Sequence, residues 1–225
     1  MKLFERWMSK VGYVRRNKAR SYLAAQNNRL YADWIVSGTV DHNKSIGRDL
    51  DVLRQRGIDL FDNNDWGKKF VRLCDKNIVG NEGLILKAQA KDPDGVLDEV
   101  ANRKIEDAFW AWGRRKQYAS VTRKQTFLDI QHLAIKTAVR EGEALVRKVF
   151  GFNNPYRFAL QLIPSALLPV TLNKRLDNGH KIVMGIEYDE WDAPYRYYVR
   201  QSPEVAGGKI VDGNMYLVLP AEEMI

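Results

Sequence analysis

Residues 126–164 read TFLDIQHLAIKTAVREGEALVRKVFGFNNPYRFALQLIP, and the change of period inside this stretch sets the fold class. Phe127, Ile130, Leu133, Ala134 and Ala138 recur at three and four residues, the spacing of one helical face. Thr126 stands where an N-cap hydroxyl accepts from the first turn, and Asp129 three residues on suits the positive helix end. Gly142 releases the helix, because glycine enters left-handed backbone space without a Cβ clash. After it the period drops to two over 143–149 and again over 158–163, and Gly151-Phe152-Asn153-Asn154-Pro155 between them is turn chemistry. A helix, a corner and a hairpin in this order predict an α+β chain. Its helices are expected to pack on mixed or antiparallel strands and hairpins, in layers on either side of this stretch.

On the N-terminal side, Ile46, Leu50 and Leu53 form the stripe of a helix from Asn43, which Arg54, Arg56 and Gly57 are expected to close. Asn64 should cap a second helix over 65–77 with Trp66, Phe70, Leu73 and Cys74 facing inward. Gly80 and Gly83 lead into an apolar run at 84–88 that reads as a strand. No Gly-Lys-Ser/Thr follows them, so a phosphate cradle is disfavoured. Asp92-Pro93-Asp94-Gly95 is a turn, and the next helix carries Val100, Ile105, Ala108, Phe109 and Trp112 on one side. Arg114, Arg115 and Lys116, with Arg123 and Lys124, flank an expected loop. They are candidate contacts to DNA phosphates or to a neighbouring subunit, against the plainer role of solvating a helix end.

On the C-terminal side, Pro164 and Pro169 hold 165–173 out of regular helix, and Asp177-Asn178-Gly179 is a hairpin turn. Residues 182–188 and 195–200 read as two strands separated by 189–194, and 215–219 as one more. Pro220 followed by Glu222 and Glu223 suits the first turn of a helix.

Among the first thirty of the 225 residues, Lys2, Arg6, Lys10, Arg15, Arg16, Lys18, Arg20 and Arg29 face Glu5 alone, whereas the whole chain has a formal charge of +8. The division expected is a basic N-terminal arm over 1–40 and a near-neutral α+β body over 41–225. Tyr13, Tyr22, Tyr31 and Trp34 interleave with the arm's cations, which suits either base stacking or pinning to a protein surface. Arg15, Arg16, Lys18, Arg20 and Arg29 are its candidate contacts to DNA or to a neighbouring subunit. Cys74 stands alone and is expected to be a buried small hydrophobe. No apolar run reaches the length of a membrane span, and the start lacks a secretory apolar core.

Catalytic chemistry is not expected. His42, His132 and His180 are scattered without a second ligand at metal spacing, and His132 reads as structural. Glu141 with Glu143 straddles a corner, and Asp189, Glu190 and Asp192 sit on a hairpin tip, where acids are ordinarily solvated. No cofactor or metal is predicted, and the chain reads as a non-enzyme.

Several segments resemble the lambda-type portal proteins of tailed bacteriophages. Arg140-Glu141-Gly142-Glu143-Ala144-Leu145-Val146-Arg147 followed by Leu160-Gln161-Leu162-Ile163-Pro164 is similar to a family segment that usually has Ser where Glu141 stands. Arg20-Ser21-Tyr22-Leu23-Ala24-Ala25 is similar to the arm signature. Leu53-Arg54-Gln55-Arg56-Gly57-Ile58-Asp59-Leu60 with Asn63-Asn64 resembles a further segment, with Ile58 where Arg is frequent. Ile182-Val183-Met184-Gly185-Ile186-Glu187-Tyr188-Asp189 with Pro194 and Tyr197, and Pro220-Ala221-Glu222-Glu223-Met224-Ile225, are the strongest resemblances.

The resemblance implies a structural subunit whose body is the wing of a portal. Copies would close into a ring, a dodecamer in the family, at one capsid vertex of the virion after assembly in the bacterial cytoplasm. Double-stranded DNA would pass through it without sequence preference. Terminase, scaffold or capsid proteins, and head-completion or tail proteins would be the partners, with no membrane involved. Stem, clip and crown would follow Ile225, so the chain is expected to be truncated before the stem helix, as a fragment or as a shortened gene product. Two rival readings remain: a DNA-binding module that uses the basic arm, and a metal-dependent nuclease.

Overall fold

In a computed structural model of the chain, the described residues are 42–201, 209–211 and 214–225. The expected arm over 1–40 lies outside them. Helix α1 spans His42–Asn63, α2 Asp65–Ile78, α3 Glu99–Gly113, α4 Lys116–Ala119 and α5 Phe127–Glu141. The strands are β1 Leu145–Phe150, β2 Phe158–Ile163, β3 Lys174–Arg175, β4 Lys181–Val183, β5 Ile186–Tyr188, β6 Pro194–Arg200, β7 Lys209–Val211 and β8 Asn214–Pro220. Every ladder is antiparallel, in a hairpin β1–β2 and a six-stranded sheet of order β3-β4-β5-β6-β8-β7. The fold is α+β.

The hairpin β1–β2 lies between two cores, because alternate residues of a strand point to opposite faces. Val146 and Leu160 join Trp112, Ala119 and Ile130 beneath the helices. Leu145 and Ile163 turn the other way, onto Val199 and Leu219 of the six-stranded sheet. The far face of that sheet buries Tyr198 and Tyr216 with Leu172 and Ile182. Helices, hairpin and sheet are therefore three layers, with 126–164 running from the first into the second.

The local signals around that stretch hold. Thr126 and Asp129 form a reciprocal capping box, and Gly142 ends α5 in the left-handed region at φ 87°. Asn64 caps α2 by accepting from the amides of Trp66 and Gly67. Asp92 and Gly95 close the expected turn, as the amide of Gly95 donates to the Asp92 carbonyl.

Five readings need correction. First, α1 does not close at Gly57 but runs on to Asn63. A Cβ at Gly57 would sit 2.4 Å from the Arg140 carbonyl oxygen, so this glycine permits close approach of α1 to α5 rather than ending a helix. Second, Trp66, Phe70 and Leu73 do not face inward: they are exposed, Cys74 is half-buried, and α2 buries Val71 instead. The packed side of α2 carries Asp75, which meets His132 at 2.6 Å and Lys136 at 3.1 Å on α5. Polar pairing and small residues, not the largest apolar side chains, set its rotation. On α3, likewise, Trp112 is buried but Val100 and Ile105 are exposed.

Third, residues 84–88 join no ladder. Their backbone is held by side chains instead: Leu84 N–H donates to Gln131, and Ala88 N–H to Glu106. Fourth, the single strand expected over 182–188 is two strands. Met184 at φ 49° and Gly185 at φ 81° make a tight turn between β4 and β5, and two successive positive φ values are what a twisted two-residue hairpin requires. Fifth, Pro220 precedes only one 3-10 turn, Ala221–Glu223. Met224 and Ile225 then lie along β1, where Val146 and Ile225 exchange both backbone hydrogen bonds, satisfying groups of β1 that β2 does not reach. The expected loop after Arg115 contains the short helix α4, and β7 had no counterpart in the sequence reading.

Candidate functional site

The corner between α5 and β1 gathers charged residues from three segments. Arg54 of α1 is 6% exposed and donates from Nη2 to Oε1 of Glu143, while its Nη1 lies 3.6 Å from Asp51. Its Nε and Nη1 make no hydrogen bond. Beside it, Arg140 donates to Asp62 at 3.0 Å, and the buried hydroxyl of Ser165 donates to Glu141. On the next strand, Arg147 donates from Nε to Glu223 at 2.7 Å, clamping the turn Ala221–Glu223 to β1. Glu141 and Glu143 are thus acceptors for a serine and an arginine, and do not converge on a common point.

A third polar cluster lies under the six-stranded sheet. Glu187 is 1% exposed and accepts from His180 Nδ1 and from the Tyr198 hydroxyl, each at 2.8 Å. Burial first, and then the hydrogen bond to the Glu187 carboxylate and its charge, push the Tyr198 hydroxyl up to about 12. On the helices, burial would raise the Asp75 carboxyl. Hydrogen bonds from His132 and Lys136, and then their charges, outweigh it and leave Asp75 below the usual carboxylate value. His132 is therefore a structural partner. Asp129 is held low by the Thr126 amide and then by its hydroxyl.

The hairpin-tip acids are part of their own loop. Asp189 accepts from the amides of Trp191 and Ala193, and Asp192 pairs with Lys181. Among the described residues no three His, Cys, Asp or Glu side chains come together as a metal site. An apolar cavity of about 410 Å³ lies between Phe109, Trp112, Phe127, Tyr156, Phe158 and Ile225. Among the described residues, Lys148 is the only charged side chain on its wall.

Of the candidate contacts, Arg15, Arg16, Lys18, Arg20 and Arg29 fall outside the described residues. Arg114, Arg115, Lys116, Arg123 and Lys124 are all exposed, around α4 and the loop that follows it. Three of their guanidinium groups lie on aromatic rings: Arg114 at 5.2 Å from Trp110, Arg115 at 5.4 Å from Tyr118 and Arg123 at 5.8 Å from Phe152. Tyr118 packs on Tyr156, and Asn154 donates to the Tyr118 carbonyl, so the tip of hairpin β1–β2 and α4 share this basic surface.

The opposite character prevails on the first three helices. Of the 21 large apolar side chains exposed among the described residues, 14 fall between Ile46 and Ile105, including Trp66 at 78% and Phe70 at 54%. Sequence reading missed this surface because helical periodicity reports an apolar stripe but not what covers it. It missed the Arg54–Glu143 and Arg147–Glu223 pairs because their partners stand 89 and 76 residues apart. The available signal was in the partner segments: 53–60 carries Arg54 and Arg56 against Asp59 alone, and 220–225 carries Glu222 and Glu223 with no cation.

Segments with the resemblance hold the corner: Arg54, Arg140, Glu141, Glu143, Arg147 and Glu223 belong to them and each is paired there, and Glu187, also within them, is paired in the six-stranded sheet. A family model described as phage portal protein, lambda family, matches residues 27–225. A probable portal protein of Halomonas phage phiHAP-1 is 34% identical over 208 residues, covering 91% of this chain and 40% of that protein. The chain thus spans about two fifths of the relative it matches. With the family model matched from residue 27 through the corner, the hairpin and the sheet, this chain belongs to the lambda family of phage portal proteins.

Proposed function

We propose that this chain is the arm and wing part of a portal subunit, and that identical copies close into a ring, a dodecamer, at one capsid vertex of a tailed phage. The ring gives double-stranded DNA its path into and out of the head, and the chain's work is structural rather than enzymatic. Terminase docks on the ring during packaging, and scaffold or capsid proteins and head-completion or tail proteins meet it before and after. The family match over 27–225 carries this reading. The exposed apolar half between Ile46 and Ile105 supports it, because a monomer seldom leaves so many large apolar side chains in water. Ring closure needs two complementary faces on each copy, and the helical and sheet layers offer surfaces of different chemistry.

The basic surface of Arg114, Arg115, Lys116, Arg123 and Lys124 contacts phosphates or an acidic patch of the adjoining copy, and the arm's Arg15, Arg16, Lys18, Arg20 and Arg29 do the same. Sequence-neutral phosphate contacts suit DNA that must slide. The test is genetic: a phage whose gene for this protein is inactivated should build heads that hold no DNA. Filled, infectious heads lacking the protein would overturn the proposal.

A further inference from the structure

Residues 84–90 pair with no strand, and helix side chains hold their main chain along one edge only. Over 85–90 exposure alternates with period two, Leu86, Ala88 and Ala90 half-buried and Ile85, Lys87 and Gln89 exposed, which is the signature of extended backbone, and Leu84 before them is exposed. On the inner edge helix side chains engage the amides of Leu84, Ala88 and Ala90 and the carbonyl of Ala90. Leu84 N–H donates to Gln131 Oε1 at 2.8 Å, Ala88 N–H to Glu106 Oε1 at 3.0 Å and Ala90 N–H to Asn102 Oδ1 at 2.7 Å. Asn102, itself buried, also donates to the Ala90 carbonyl at 3.1 Å, reading both groups of one residue as a neighbouring strand would. In extended backbone the amides of Ile85, Lys87 and Gln89 point the other way, and no described residue accepts from them.

We infer that this outer edge is completed by an extended segment of a second copy of the chain, adding a strand across the subunit boundary. The edge is poorly protected: Leu84 is 69% and Ile85 52% exposed, and Lys87 is the single charge between 84 and 90. It also lies within the part of the chain that leaves apolar side chains open, between Ile78 on one side and Val96, Leu97 and Val100 on the other. Such a stretch offers a partner both a main-chain ladder and apolar contact. A neighbour in the ring is the partner because this surface recurs identically in every copy, next to a copy that must present something complementary. The inference rests on the ring proposed above.

Amide hydrogen exchange, read residue by residue on the full-length protein in its assembled and dissociated forms, tests it. The amides of Ile85, Lys87 and Gln89 should slow by at least about tenfold on assembly, and those of Leu84, Ala88 and Ala90 should change little. The variant Lys87→Pro deletes one outward donor while leaving the inner edge intact. It should keep the melting temperature of the dissociated subunit and lose rings, whereas Lys87→Ala should assemble. A ring whose outward amides exchange as fast as in the free subunit, or a Lys87→Pro protein that forms normal rings, overturns the shared strand alone. A full-length protein that forms no ring overturns both readings.

Discussion

Replacing Glu143 by Ala should strand Arg54 without its main counter-charge. Removing one partner of a buried pair typically costs about 3–5 kcal/mol, because the remaining charge keeps its desolvation penalty. Two features of the corner reduce that figure. Glu143 is 35% exposed, so water already screens the pair, and Asp51 at 3.6 Å offers a weaker second carboxylate that is itself 68% exposed. About 2 kcal/mol is then expected, which in a chain of this size lowers the melting temperature by roughly 4–8 °C. Urea unfolding followed by circular dichroism would give the free-energy change. The companion variant Arg54→Met with Glu143→Leu removes both charges and should recover most of the loss, since apolar replacement of a whole buried pair is often neutral. A Glu143→Ala loss below about 0.5 kcal/mol, or a double variant as unstable as the summed singles, would refute the view that this pair holds α1 to the corner.

Gly57→Ala should destabilise by about 1–3 kcal/mol, although alanine is the better helix former by about 1 kcal/mol, because its Cβ would meet the Arg140 carbonyl; a raised melting temperature would contradict the close approach. Stability should fall as acid titrates Asp75 and Asp129. Both carboxyls are lower in the folded chain than unfolded, so their contribution is present above the ordinary value of 3.8 and is lost as pH falls through the folded values. At the alkaline end, Tyr198 keeps its proton up to about 12 against an ordinary 10.0, so stability should drop between those values, and Tyr198→Phe should flatten that limb of a pH titration of unfolding. Joint replacement of Arg114, Arg115 and Arg123 by Ala should leave stability within about 0.5 kcal/mol. It should also flatten the salt dependence of duplex retention by the full-length protein, by about 0.9 in logarithmic slope per lost phosphate contact.

The sequence was most legible where a local rule fixes the outcome. The Thr126–Asp129 box, the Asn64 cap, the Gly142 corner and the two hairpin strands each follow from neighbours a few residues away. It was least legible where the deciding partner is distant. Gly57 looks like a helix end until Arg140 is seen against it, and 84–88 looks like a ladder strand until Gln131, Glu106 and Asn102 are found along its edge. The Met184–Gly185 turn was hidden because methionine seldom takes positive φ. For the candidate site, the exposed basic surface near α4 could be read from sequence, but the rings beneath its arginines could not. Nor could the outward turn of Trp66 and Phe70, since a stripe that covers a core and one that covers a neighbouring molecule have the same period.

Electron microscopy of the full-length protein, purified without other phage components, measures the main proposal most directly. A closed, rotationally symmetric ring with α1, α2 and the 84–90 edge at the contacts between copies is the result expected. Isolated subunits persisting at high concentration, or a ring in which Trp66, Phe70 and Ile85 all face open solvent, would contradict it.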